Sequence, residues 1–279
     1  MIRIAELQDR LHRHYPPGSA QGWDRVGLVT GDVDDQLRGV LLTVDVTDAV
    51  IEQAIRLGAN LIIAHHPLLL RGVNAVDPAH PKGRMITSLI RHRIALITAH
   101  TNADIPAGGV AESLAAALGL ADTRPLQVIE VTESTDAAAV AGMGRIGRIE
   151  PITLAAFAER VAAVLPATAG GVRVAGDPDR TISTVALQGG AGDDLLDLAR
   201  QSGADVYLTS DLRHHPASEA VAWKDSPALI DVSHWAAEWI WLPPLQTELQ
   251  TQLADPAIKI TVSELRTDPW DFVVARPTT

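Results

Sequence analysis

Apolar residues run almost unbroken from Gly39 to Val46 and again from Asn60 to Ala64, whereas between Thr47 and Leu57 they recur at helical spacing. Strand, helix and strand in that order make a βαβ unit, and the helical crossover makes its two strands parallel. Thr47 or Asp48 can cap the start of the helix, and Gly58 suits the left-handed position that ends it.

The pattern occurs twice. From Ser183 to Pro216, STVALQGG predicts a strand, DDLLDLARQSGA a helix and DVYLTS a second strand. The segments AIRLGANLIIAHHP and LARQSGADVYLTSDLRHHP each run through helix, Gly-Ala, strand and His-His-Pro, the second with a three-residue insertion before its histidines. Both then continue alike. IALITAHTNAD (Ile94 to Asp104) and PALIDVSHWAAE (Pro227 to Glu238) each lead from an Ala-Leu-Ile strand to a histidine followed four residues later by an acid. This similarity predicts an internal duplication and an α/β fold of two similar lobes.

The lobes are expected over residues 1–120 and 121–226, with residues 227–279 completing a site between them and packing back on the first lobe. Met1 to Arg10 alternates charged and apolar residues as an amphipathic helix does, and TLAAFAERVAAVL predicts a helix in the second lobe. The tail beyond Leu242 predicts one more helix and an edge strand.

Composition narrows the chemistry. The chain has 279 residues, 47% of them hydrophobic, which is enough for two modest cores. It has no cysteine, so any metal must be held by nitrogen and oxygen. The formal net charge of -11 argues against nucleic-acid backbone as the main partner. A nucleotide or other anionic small molecule stays open, because bound cations reverse the local field. With no signal-peptide pattern and no apolar run near the roughly 20 residues that span a bilayer, no membrane association and a cytoplasmic location are expected.

Candidate ligands lie at the strand ends. His65 and His66 stand where an apolar strand stops before Pro67, at the carboxyl edge where open α/β sheets bind ligands. Neighbouring side chains on a strand point to opposite faces, so both rings serve one site only if the strand is already ending or two ions sit side by side. Taken alone, the dipeptide reads more simply as one core and one solvated histidine. His234 and Glu238, four apart, share a face if their segment is helical, although a surface ion pair explains that spacing equally well. His100 and Asp104 repeat the spacing, in a segment that Pro106 predicts to be a loop.

Convergence favours a site, because related strand ends each deliver histidine, carboxylate or both. Two divalent ions about 3.5–4 Å apart need a bridging carboxylate, and Glu238 suits that part. His214 and His215, the second His-His pair, are rival ligands displaced by the insertion. Asp45 and Asp211 at strand ends read as capping or surface groups before outer-shell ones. Trp23, Trp235, Trp239 and Trp241 could stack on a base, with core packing the simpler expectation for most. PAGGVAESL could present amides to an anion but more simply starts a helix.

The segments GWDRVGLVTGD, VLLTVDVT, GANLIIAHHP, ITAHTNADIPAGGV, GADVYLTSDLRHHPASEA and LIDVSHWAAE, in this order, resemble the NIF-three-like family over most of the chain, from about Trp23 to Glu238. That family comprises dinuclear-metal-centre hexameric proteins and GTP cyclohydrolase I type II homologues. The resemblance implies metal ligation by His65, His66, Asp104, His234 and Glu238, and makes His100 a group that orients a ligand by hydrogen bonding, faces the substrate or shuttles a proton. It implies two divalent ions per subunit (zinc, iron, manganese, cobalt or nickel) and a toroidal homohexamer. Ala111, where many relatives have asparagine, and Trp235, after the ligand histidine, depart from the family pattern at positions that bear on substrate contacts.

Two functions are compatible with this set: a metal-dependent hydrolase, GTP cyclohydrolase-like by family name, and a non-catalytic ring for metal delivery or partner binding. The same residue types serve both.

Overall fold

The computed structural model describes residues 2–129, 141–253 and 255–274. Two compact units divide the chain. The first contains the described residues of Met1–Gly109 and Trp241–Thr267, the second those of Val110–Glu130, Val140–Ile240 and Asp268–Thr279.

The first unit opens with helix α1 (Ile4–His14), which buries Ile4, Leu7 and Leu11 along one stripe. Strands β1 (Gly27–Thr30) and β2 (Gly39–Thr43) follow, then α2 (Asp48–Leu57), β3 (Leu61–Ala64), α3 (Pro81–Arg91) and β4 (Ala95–Thr98). Thr47 caps α2 by accepting from the Val50 amide at 3.3 Å, and Gly58 ends it at φ 68°. β2, β3 and β4 are parallel, with Val40 opposite Leu61 and Leu61 opposite Ala95. All their residues are buried, as parallel strands covered on both faces require. β1 runs antiparallel beside β4.

After β4 the chain makes one helical turn, α4 (Thr101–Asp104), where Pro106 predicted a loop. The proline forbids a longer helix but not a turn that is complete before it. Ala103 N donates to His100 O at 2.7 Å, and Asn102 Oδ1 accepts from the His100 amide at 2.9 Å.

The second unit runs through α5 (Val110–Ala117), β5 (Ala121–Arg124), β6 (Gln127–Val128), β7 (Gly142–Met143), β8 (Arg145–Thr153), α6 (Leu154–Val164) and β9 (Arg173–Ala175). It continues through β10 (Thr181–Ala191), α7 (Leu196–Gln201), β11 (Val206–Ser210), α8 (His214–Val221), β12 (Ala228–Val232) and α9 (His234–Trp239). Its main sheet has the order β5-β8-β10-β11-β12-β9, with β10, β11 and β12 parallel and β6-β7 a separate pair. The chain then returns to the first unit as α10 (Leu242–Leu253) and β13 (Lys259–Val262), which pairs with β2 at the edge to give the order β1-β4-β3-β2-β13.

The internal repeat is visible in topology. Lateral orders β1-β4-β3-β2 and β9-β12-β11-β10 are the same when the strands of each set are counted along the chain, and in both the first strand is antiparallel to three parallel ones. Each set has its own core, around Leu41, Ile62 and Leu96 in one and Ala186, Tyr207 and Leu229 in the other.

The division between units falls at Gly109/Val110 and Ile240/Trp241, not after residues 120 and 226. β12 pairs in register with β11, which places Ala228–Val232 in the second sheet. α5 packs against β10 so closely that a Cβ on Gly189 would meet Val110 Cγ1 at 2.5 Å.

Candidate metal centre

In the first unit, β3 ends at Ala64, so His65 and His66 lie just beyond regular strand geometry. Backbone bonds still hold them, His65 N to Thr43 O at 3.0 Å and His66 N to Val44 O at 2.9 Å. The strand's end removes the objection that adjacent side chains must diverge. The rings of His65 and His66 are 5.1 Å apart, and that of His100 lies 5.1 and 5.6 Å from them. One ligand atom from each of the three lies within 4.8 Å of the others. Asp104, at the end of α4 and nearly buried, brings Oδ1 to 3.7 Å from His65 Nε2. Trp241 packs its ring edgewise on His65, 5.6 Å between centroids, and donates its Nε1–H to Tyr15 Oη at 3.2 Å.

Every imidazole of this cluster has its Nδ1 committed. His65 Nδ1 donates to Ala99 O at 2.9 Å, His66 Nδ1 to Asp45 Oδ1 at 2.7 Å, and His100 Nδ1 to Asp24 Oδ1 at 2.9 Å. A carbonyl can only accept, so His65 Nδ1 carries the proton of that bond. This is the arrangement in which histidines ligate metals, their second nitrogen oriented by an acceptor. Asp45 is itself held by Thr267 Oγ1.

Asp24 binds tightly into this network. Burial alone would raise its carboxyl, but bonds from His100 and from the Thr101 amide and hydroxyl, with the His100 charge, hold it well below the usual carboxylate range.

The second unit carries the repeat's counterpart. His234 lies two residues beyond β12 as His100 does beyond β4, and Glu238 follows it as Asp104 follows His100. Ser233 caps α9 through the Ala236 amide at 3.3 Å, and its own hydroxyl donates to Asp268 Oδ1 at 2.6 Å. The helix sets His234 Nε2 2.9 Å from Glu238 Oε1, and Asp211 Oδ2 accepts from His234 Nδ1 at 2.8 Å. Burial lowers the affinity of His234 for its proton, but Glu238 and Asp211 outweigh it and push its pKa up to about 11.

Gly190, in the irregular end of β10, makes room for this pair. Its φ is +77°, and a Cβ there would meet Glu238 Oε1 at 2.4 Å and His234 Nε2 at 3.2 Å. Asp211 immediately follows β11 with φ 57°, a left-handed conformation that aspartate tolerates better than most residues.

The first unit thus gathers His65, His66, His100 and Asp104, and the second gathers His234 and Glu238. His214 and His215 sit on the exposed first turn of α8, where the insertion has carried them past the strand end. Asp211 takes the strand-end place in the repeat that His65 holds in the first copy. Asp45 and Asp211, expected as capping or surface groups, orient His66 and His234 instead. Asp24, Thr267, Asp268 and Gly190 were missed. Only Asp24 left a sequence signal, a lone acid inside GWDRVG.

The donor set is imidazole and carboxylate, which suits hard and borderline divalent cations. Among the described residues no helix is long and apolar enough to cross a membrane.

Comparisons with known proteins agree with the fold. A Streptomyces coelicolor protein named GTP cyclohydrolase 1 type 2 homolog is 43% identical over 278 residues, covering 99% of this chain and 96% of its own. A Mycobacterium tuberculosis protein of the same name is 33% identical, covering 97% of each. The crystal structure of a Bacillus cereus protein related to NIF3 matches with a TM-score of 0.88 at 27% identity, over 98% of this chain and 99% of that one. Staphylococcus aureus protein SA1388 matches with a TM-score of 0.86 at 29% identity, over 98% and 99%. The model of one family, Duf34/NIF3 (NGG1p interacting factor 3), matches residues 2–269, and the chain belongs to that family.

Proposed function

We propose that this protein is a metal-dependent hydrolase of a nucleotide or related small molecule, and that His65, His66, Asp104, His234 and Glu238 together hold two divalent cations. The observation that supports the reading is that Nδ1 of His65, His66, His100 and His234 each meets an acceptor, the way a metal-binding imidazole is oriented through its second nitrogen. The name shared by the relatives, GTP cyclohydrolase 1 type 2 homolog, directs the substrate towards a nucleotide.

A bound pair of divalent cations supplies a water acidified towards neutral pH and polarisation of the attacked group. Glu238, almost fully buried, would supply a carboxylate to the cations. Asp45 and Asp211 keep two of the rings in their ligating tautomer and orientation. His100, fixed through Nδ1 by Asp24, offers Nε2 to take a proton and return it to the leaving group.

Elemental analysis of native protein beside an Asp104→Ala variant tests the metal centre, with two divalent ions per chain expected in the first and loss in the second. A turnover screen of metal-loaded protein on GTP and cell metabolites tests the chemistry. Activity that disappears in Glu238→Gln supports hydrolysis. Metal-loaded protein that leaves nucleotides, phosphoesters and cyclic amides intact would overturn it.

A further inference from the structure

Trp23 is 57% exposed, yet the chain on both sides of it is held by hydrogen bonds. The turn that carries it is closed by Asp24 N donating to Gln21 O at 2.8 Å. Both sides of the turn are then fastened to Thr101. Gln21 N donates to Thr101 Oγ1 at 2.9 Å, and Asp24 Oδ2 accepts from Thr101 N at 3.0 Å and from Thr101 Oγ1 at 2.6 Å. The indole meets the His100 imidazole edge-on, with centroids 5.9 Å apart and planes at 77°.

Trp223 and Trp270 are also exposed, at 56% and 69%, but among the described residues Trp23 is the tryptophan whose ring meets His100. Trp235 and Trp241 are buried, and Trp223 has the Arg200 guanidinium 4.4 Å above its ring. Trp23 combines a wet apolar surface, a rigid mount and contact with an imidazole of the His65–His66–His100 cluster. The indole keeps more than half its surface in water on an anchored turn, directly beside an imidazole of a polar cluster. Its chemistry selects the ligand. A flat heteroaromatic ring stacks on an indole with little loss of conformational freedom, while a polar edge of the same molecule reaches the imidazoles.

We infer that Trp23 is a specificity-determining residue, the platform on which a planar heteroaromatic ring of the purine class stacks beside the first histidine cluster. This rests on the reading of that cluster as half of a hydrolytic metal centre.

Calorimetric titration of the full-length chain, metal-loaded and metal-stripped, with guanosine 5′-monophosphate and with ribose 5-phosphate tests it. Metal content is measured on the same samples. In Trp23→Ala, affinity for guanosine 5′-monophosphate is expected to fall by roughly 5- to 150-fold, the range for losing one aromatic stack on a base. Trp23→Phe is expected to keep most of it, and neither variant to change ribose 5-phosphate binding or metal content. Equal affinity in wild type and Trp23→Ala, or no binding of guanosine 5′-monophosphate by wild type, overturns the inference. So does a Trp23→Ala protein altered only in oligomeric state, which would assign the indole to a subunit contact. If wild type holds no metal but Trp23→Ala still loses ring binding, the metal reading falls and the platform stands.

Discussion

His66 Nδ1 lies 2.7 Å from Asp45 Oδ1, so the carboxylate at the end of one parallel strand orients an imidazole at the end of the next. A neutral histidine ligates with one nitrogen only, and a carboxylate on the other both chooses that nitrogen and makes it more basic. Asp45→Ala is therefore expected to weaken divalent-metal binding by about 10–100-fold without unfolding the chain. Thr267→Val, which removes a bond to the same carboxylate, moves affinity in the same direction by less. Titration against a chelating dye reads both. Unchanged affinity in Asp45→Ala would show that this carboxylate does not position His66 for a metal.

Gly190 admits no side chain. A methyl group there faces two obstacles, a left-handed φ that costs roughly 1–2 kcal/mol for a residue with Cβ, and the Glu238 carboxylate at 2.4 Å. Gly190→Ala is expected to lower the denaturation midpoint and to displace Glu238, so that metal retention falls more than stability alone explains. Denaturant titration and metal analysis on the same preparation separate the two effects.

The network at Asp24 makes a prediction about acid. Its folded carboxyl titrates below the unfolded one, which takes up a proton near about pH 3.9. The stabilisation is thus present in full above the unfolded pKa and is lost as pH falls through the folded one. Asp24→Asn removes it. The gap in unfolding free energy between wild type and Asp24→Asn is expected to stay constant around neutral pH and to narrow below about pH 4. A gap that widened on acidification would contradict the assignment of Asp24 as an anion in the fold.

Tyr15 supports the first histidine cluster from behind. Its hydroxyl accepts from Trp241 Nε1 at 3.2 Å and donates to Gly108 O at 3.3 Å, and Trp241 packs on His65. Tyr15→Phe leaves the buried indole N–H without that acceptor, a loss of about 1–3 kcal/mol. Thermal or denaturant unfolding measures it. A variant as stable as wild type would show that these bonds contribute nothing net.

The βαβ units were legible because their signals are local. Apolar strands, helical spacing, Thr47 and Gly58 act within a few residues of one another, and burial of β2, β3 and β4 on both faces leaves a continuous apolar run in the sequence. The repeat was legible for the same reason, since equal local patterns folded into equal strand orders. His100, Asp104, His234 and Glu238 could be paired from sequence alone because four-residue spacing is itself a geometric statement.

What the sequence could not decide were the contacts between distant segments. Asp24 reaches His100 across 76 positions and Thr267 reaches Asp45 across 222, distances over which no periodicity carries information. Capping and surface roles are the commoner fate of such acids, and only the packed chain shows which carboxylates turn inward to orient a ring. Gly190 is the same case for shape, because the space it leaves exists only once Glu238 is folded against it. The amino-acid order determined the strands and helices and where each places a donor atom. The tertiary structure decided which nitrogen of each histidine is held and which acid holds it, because hydrogen bonds act over about 3 Å in space however far apart their partners lie in the chain.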